Sequence, residues 1–196
     1  MNKFFEELQS ANISLDKIEN LLSKGKLLHV KNHSVLLKPG TISDKAYFVL
    51  KGCFVVRSIN VGLEIYKTIN FYLEDFHPFM GCVDSYFSGT ETECELRAIA
   101  HSDVIEFDKK DLDAIILEDI VFFQFYHFML TKILQEENDF KLKIISYSSE
   151  MLYDYLSKDC PEVIRLVPSK FVAEFMGISA EWLSKLKNNR IKHFLN

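Results

Sequence analysis

The side chains with the most capacity for chemistry lie close to the C-terminal end. Ser179, Glu181, Ser184, Lys185, Lys187 and Asn188 bring hydroxyl, carboxylate, ammonium and amide groups into ten consecutive residues. That set suits a helix laid against duplex nucleic acid, where lysines neutralise phosphates and short polar side chains reach base edges. Ala180 and Trp182 share its first turn, and Ser169 and Lys170 just upstream complete the candidate contacts. Other chemistries find little footing. The six histidines (His29, His33, His77, His101, His127, His193) form no HxH pair, and His29 and His33 lack a glutamate a few residues on. The four cysteines (Cys53, Cys82, Cys94, Cys160) form no CxxC and are expected as buried free thiols. No GxSxG, P-loop or GxGxxG occurs. Neither an enzyme nor a metal site is expected.

Charge supports the nucleic-acid reading by its distribution, not its sum. The net charge is −5, but residues 1–146 hold 16 Lys+Arg against 22 Asp+Glu, while residues 147–196 hold 7 against 6. In the last eighteen residues Lys185, Lys187, Arg190 and Lys192 oppose only Glu181. The cationic end coincides with the proposed contact helix, as phosphate binding requires.

The elements that must position these groups follow from local pattern. Pro168 suits a helix start, and Phe171, Val172, Phe175 and Met176 recur at helical spacing. Gly177 can take φ > 0 and stop that helix. Ser179 then sits where an N-cap belongs, with Glu181 in the first turn and Trp182, Leu183 and Leu186 on an apolar stripe. Two short helices joined at a glycine describe a helix-turn-helix, and Ala173 is small where the two would cross.

Phe4, Phe5 and Leu8 begin a helical pattern, and Ser14 could cap a second carrying Leu15, Ile18, Leu21 and Leu22 up to Gly25. From Leu27 to about Phe107 come short β-prone runs separated by Pro39-Gly40, Lys51-Gly52 and Asn60-Val61-Gly62, as in a sandwich or jelly roll. In Leu63–Phe71, Leu63, Ile65, Ile69 and Phe71 alternate with Glu64, Tyr66, Thr68 and Asn70, which predicts a half-buried strand. From Leu112 to about Ser146 the pattern is helical. Ile116, Ile120, Phe123, His127, Leu130 and Leu134 form a heptad seam, and Phe122, Phe125, Phe128, Met129 and Ile133 make its other sides apolar. A helix apolar all round is buried on more than one side. The economical arrangement packs one side on the β-roll and the other on a second copy, giving a homodimer; a core helix buried within one chain is the alternative. No stretch reads as a signal peptide, and the apolar run Ile120–Leu130 is too short to span a bilayer. A cytoplasmic location is therefore expected.

The resulting order is α+β: an antiparallel β-roll or jelly roll (1–115), a long dimerisation helix (116–146) and a helix-turn-helix (147–196). In that order the chain resembles the cyclic-AMP receptor protein/Fnr (Crp/Fnr) family of bacterial transcription regulators. The most specific stretches are GTISDKAYFVLKG (40–52), similar to the family's roll hairpin, and CPEVIRLVPSKFVAEFMGISAEWLSKLK (160–187). In the latter, Val167-Pro168, Val172-Ala173, Gly177-Ile178-Ser179, Glu181, Leu183-Ser184 and Leu186 match the family's pattern by type or identity. The resemblance implies a cyclic-nucleotide-binding-like roll and a homodimer reading a two-fold operator in the major groove with helix 179–188. Double-stranded DNA and RNA polymerase are the partners it implies, with no membrane. Lys185 and Lys187 stand where the pattern has arginines, and lysine lacks the planar fork for guanine.

In relatives that bind cyclic nucleotides, a cassette supplies Gly-Glu for the ribose and Arg-Ser for the phosphate. The matching stretch here is Phe79–Arg97, with Phe79, Met80, Gly81, Cys82, Val83, Thr92 and Glu93 as the degenerate site. Cys82 stands where the glutamate belongs, and Thr92-Glu93 replaces the Arg-Ser pair between Glu91 and Glu95. Three carboxylates there would repel a phosphate, so cyclic AMP and cyclic GMP are not expected to bind, and no cofactor is predicted. Two expectations remain for the roll: an apolar effector walled by Phe79, Met80, Val83, Tyr86 and Phe87, or an interior filled by side chains. Two rival functions also stay open: a ligand-sensing or protein-contact scaffold without sequence-specific DNA binding, and a cupin-like metalloenzyme.

Overall fold

The computed structural model describes residues 15–60, 62, 65–74 and 76–194. Helix α1 (Leu15–Ser23) leads into eight strands: β1 (Lys26–Val30), β2 (Val35–Leu37), β3 (Lys45–Lys51), β4 (Cys53–Asn60), β5 (Ile65–Leu73), β6 (Phe79–Met80), β7 (Cys94–Ala98) and β8 (Ser102–Asp108). A short helix α2 (Val83–Ser88) lies between β6 and β7. The strands form two antiparallel sheets, β1-β8-β3-β6 and β2-β7-β4-β5, closed face to face. Their inner faces hold a core that includes Val49, Phe54, Val56, Tyr72, Leu96 and Val104. The Lys51-Gly52 turn requires its glycine: φ is +105°, and a Cβ there would stand 2.7 Å from Ser102 Cα. The expected helix stops near Gly25 as read, with Ile18 and Leu21 buried. The expected Ser14 cap and the Phe4, Phe5, Leu8 pattern lie outside the described residues.

The long helical run is two helices, not one. α3 (Lys109–Glu118) and α4 (Ile120–Ser146) meet at Asp119 with their axes bent by 119°. Asp119 has extended backbone and caps α4, its carboxylate accepting from Val121 N–H at 2.8 Å and from Lys17 at 3.1 Å. Ile116 is thereby corrected. It lies on α3, buried with Leu112, Phe122 and Phe125 against the first sheet, and is no part of an outward seam. No single helix among the described residues is long and apolar enough to cross a membrane.

Four helices complete the chain: α5 (Ser149–Asp159), α6 (Pro161–Leu166), α7 (Ser169–Met176) and α8 (Ala180–Phe194). Ser148 caps α5 through Met151 N–H. These helices dock on the outer face of the second sheet. One continuous core joins Cys53, Val55, Phe71 and Leu73 of the roll to Leu156, Val163, Val172, Phe175 and Leu183 of the helices. The register explains why β5 departs from the predicted alternation. Arg57 pairs with Thr68 but Val56 with Asn70, so β5 carries a bulge at Ile69. The extra residue puts Thr68 on the same outer side as Phe71 and Leu73, while Asn70 and Tyr72 face inward. The predicted apolar face is split: Ile65 and Ile69 are exposed and Phe71 is buried.

Candidate nucleic-acid interface and effector cavity

The C-terminal corner is built as its residue types dictate. Pro168 takes φ −56° and caps α7 from outside the helix. Gly177 closes α7 in the left-handed region at φ +67°, its N–H bonded back to Ala173 and Glu174. Ser179 then caps α8, Oγ accepting from Trp182 N–H at 3.1 Å. Ala173, Val172 and Met176 of α7 bury against Leu183 and Leu186 of α8.

The polar side chains on the first turns of α8 face outward. Ser179, Ala180, Glu181, Ser184, Lys185 and Asn188 are exposed, as are Ser169 and Lys170 at the start of α7. Trp182 is corrected: it is 39 % exposed and lies off the buried Leu183–Leu186 stripe, with Lys185 Nζ 5.9 Å from its ring. Lys187 is half-buried and donates to Ser169 Oγ at 2.7 Å, tying the two helices together beside the contact face. Glu181 is held below the usual carboxylate range by its own backbone N–H and by the Ser179 hydroxyl, so it is charged and folded back toward the cap.

Five of the six seam positions lie on α4. Ile120, Phe123, His127, Leu130 and Leu134 are all exposed along one line, Ile120 and Leu134 by 68 % and 64 %. The opposite side of α4 buries Phe122, Phe125 and Met129 on the roll.

Between α4 and the roll lies a cavity of about 560 Å³. Of the degenerate-site residues, Phe79, Met80, Gly81, Cys82, Val83 and Thr92 line it; Glu93 does not. Tyr86 and Phe87 join them from α2, and Phe122, Tyr126 and Met129 from α4. The space between α4 and the roll is therefore not filled by side chains. Its polar fringe is small: Asn70 donates to Glu137 at 2.6 Å, and burial with Glu136 nearby raises the Glu137 carboxyl. Among the described residues no lysine or arginine lines the cavity. The expected repulsion by Glu91, Glu93 and Glu95 is corrected, because none of the three faces it; the bordering carboxylates are Asp84 and Glu137.

No protein-family model and no curated protein matches the sequence. Solved structures do. FixK2 from Bradyrhizobium japonicum superposes with a TM-score of 0.71 at 12% identity over 86% of this chain and 85% of that one. The c-di-GMP-responsive regulator CLP of Xanthomonas campestris gives 0.67 at 12% identity, covering 93% and 94%. A CooA mutant from Carboxydothermus hydrogenoformans gives 0.65 at 13% identity, covering 89% and 79%. This is the Crp/Fnr fold.

In this Crp/Fnr fold the stretch that matches the cassette, 79–97, runs along the cavity. Arg97 is turned from the cavity: its guanidinium grips Glu95 twice at 2.7 Å and donates to His33 O at 3.3 Å. Among the described residues no other arginine or lysine replaces it on the cavity wall, so a cyclic phosphate has no counter-charge there. The histidines also stay apart. His29 pairs with Asp103 at 2.7 Å and His77 with Glu136 at 3.2 Å, and among the described residues no three His, Cys, Asp or Glu could hold a metal ion.

One group of functional residues escaped sequence reasoning. Arg57 on β4 forks onto Glu174 of α7, Nε to Oε2 at 3.1 Å and Nη2 to Oε1 at 3.0 Å, while Thr68 donates to the same carboxylate at 2.9 Å. Tyr66 and Phe171 sandwich the guanidinium at 5.0 and 5.4 Å. A single arginine inside Cys53–Ile59 and a single glutamate inside Phe171–Met176 were the available signals, since a lone charge on an apolar face needs a buried partner. The pair fastens the helix-turn-helix to the roll.

Proposed function

We propose that this chain is a DNA-binding transcription regulator of the Crp/Fnr type that acts as a homodimer on a two-fold operator and takes no cyclic nucleotide. The observation that carries this reading is the two-sidedness of α8: Leu183 and Leu186 point inward, while Ser179, Ser184, Lys185 and Asn188 offer hydroxyls, an ammonium and an amide outward. The exposed line of Ile120, Phe123, Leu130 and Leu134 supports the dimer, because a stripe of large apolar groups on a long helix is covered at low cost by its own copy. Two copies joined there would carry two α8 helices, and one duplex turn between them matches successive major grooves. RNA polymerase is the natural partner of such a protein, and the roll's cavity would take an uncharged apolar effector.

A gel-shift titration with the chain's own promoter region tests the reading. Retention that depends on DNA sequence and weakens steeply with salt is expected. Retention indifferent to sequence would instead favour a ligand-sensing scaffold. Cyclic AMP should leave both the shift and the Trp182 emission unchanged; micromolar binding would overturn that part.

A further inference from the structure

Two thiols meet on the wall of the cavity. Cys82 follows β6 of one sheet and is buried; Cys94 opens β7 of the other sheet and is half-buried. Both line the cavity, and both belong to the roll's inner core. The Cys82 thiol is placed to donate toward the Cys94 sulfur, and the Thr92 hydroxyl, which accepts from Cys94 N–H at 3.0 Å, stands beside the pair on the same wall. Donation toward the Cys94 sulfur favours its thiolate and lowers its pKa to about 7, while the Cys82 thiol is held protonated. The other two cysteines are unlike this pair. Cys53 and Cys160 are buried in the core between roll and helices, and burial alone pushes the Cys53 thiol up to about 12. An ionisable thiol that a small molecule can reach, set against a protonated second thiol, is the arrangement of an attacking and a resolving cysteine.

We propose that Cys82 and Cys94 form a redox-active dithiol that reacts with small organic hydroperoxides entering the cavity and closes to a disulfide between the two sheets. The cavity selects this class of oxidant. Phe79, Met80, Phe122 and Met129 suit a hydrocarbon tail, and the lack of a lysine or arginine beside Asp84 and Glu137 among the described lining residues disfavours an anionic oxidant such as oxidised glutathione. The reaction balances in two steps. The Cys94 thiolate attacks the hydroperoxide, forming an S–O bond and breaking O–O; the alkoxide leaves as alcohol with the proton that Cys94 released. The Cys82 sulfur then attacks the sulfenic acid, forming S–S and breaking S–O, and the hydroxyl departs as water with the Cys82 proton. Two thiols are oxidised by two electrons and one hydroperoxide is reduced.

The test uses the full reduced chain without DNA, so its outcome is independent of the regulator reading. One equivalent of cumene hydroperoxide should remove two hydrogens from the intact mass, reversibly by dithiothreitol. Trypsin leaves both cysteines on the single peptide 68–97, so a second cut at Asp84 or Glu91 is needed to display two linked fragments. The Cys82→Ser chain should stop at a dimedone-trappable sulfenic acid on Cys94, and Cys94→Ser should lose the reaction. The rate should rise with pH through a midpoint near 7, as Cys94 ionises. Cumene hydroperoxide should outpace both hydrogen peroxide and oxidised glutathione by roughly tenfold or more, from the apolar area its ring buries. A disulfide involving Cys53 or Cys160, oxidation of Cys94 past sulfenic acid with Cys82 left free, a pH midpoint in the ordinary thiol range, or no preference for the organic hydroperoxide would each overturn the proposal.

Discussion

Replacing Glu174 by leucine should loosen the helix-turn-helix from the roll by an amount the structure bounds. The Arg57 and Glu174 side chains are only 9% and 15% exposed, and three hydrogen bonds of 2.9–3.1 Å converge on the carboxylate. Removing one partner of a buried pair costs about 3–5 kcal/mol, chiefly by stranding the other charge. Arg57 would not be stranded outright: it keeps Glu95 at 3.9 Å and its place between the Tyr66 and Phe171 rings. The lower end, about 3 kcal/mol, is therefore expected. At about 2–4 °C per kcal/mol for a chain of this size, the melting temperature should fall by roughly 6–12 °C. Stability alone does not identify the cause, so the assay is a double-mutant cycle with Arg57→Leu, supported by amide exchange. Coupling between the two sites should reach about 2 kcal/mol or more, and exchange should quicken in α7 and β5 before it does in β1 and β8. A coupling below about 0.5 kcal/mol, the value of an ordinary exposed pair, would refute the claim that the helical unit seals this contact from water.

Phe123→Asp and Leu134→Asp should each convert the proposed dimer to single chains by light scattering with the circular dichroism unchanged, whereas Ile116→Asp, placed in the core, should unfold the chain. Lys185→Ala should weaken operator binding across all sequences and lower the salt slope by about 0.9 for each phosphate the lysine no longer neutralises. Lys187→Ala should do more, because it also frees Ser169. Gly177→Ala meets no neighbouring atom but must hold φ +67°, so calorimetry should register about 1 kcal/mol of lost stability.

Legibility in the sequence followed the range over which each cause acts. The helix-turn-helix could be read because its determinants are local: a proline at the start, a glycine that must go left-handed, a serine cap, and apolar residues three and four apart. The roll could be read from its turns. What failed depends on partners distant in sequence. Ile116 and Ile120 are four apart and extend the heptad, yet the chain folds sharply at Asp119 because its carboxylate caps a new helix and binds Lys17, 102 residues away. The β5 bulge likewise depends on pairing with β4, and it moves Thr68 onto the face where Glu174 waits. Arg97 ends the cassette-like stretch, and only the fold shows which groups it meets there, Glu95 and the His33 carbonyl. The cysteine pair was invisible for the same reason: eleven residues separate Cys82 from Cys94, and two sheets must close before the pair lines one cavity.

On the proposed reading, the faces of α4 let one helix serve cavity, dimer and DNA-facing unit together. Phe122, Phe125, Met129 and Ile133 line the cavity, while Ile120, Phe123 and His127 face outward. Leu130 and Leu134 belong to both sets, lining the cavity and standing exposed on the seam. One turn and a half further on, Phe140 packs on Phe175 of α7 at 5.7 Å and on Tyr155 of α5 at 5.9 Å. A molecule that displaced Leu130 or Leu134 would therefore change the surface that the proposed dimer uses. Any roll or shift of α4 that results must move Phe140 against the helix-turn-helix, because packed aromatic cores resist compression and pass displacement on. Arg57–Glu174 opposes that movement from the sheet side. The position of α8 is thus set by two contacts, one on the helix and one on the roll, and the cavity lies between the elements that carry them.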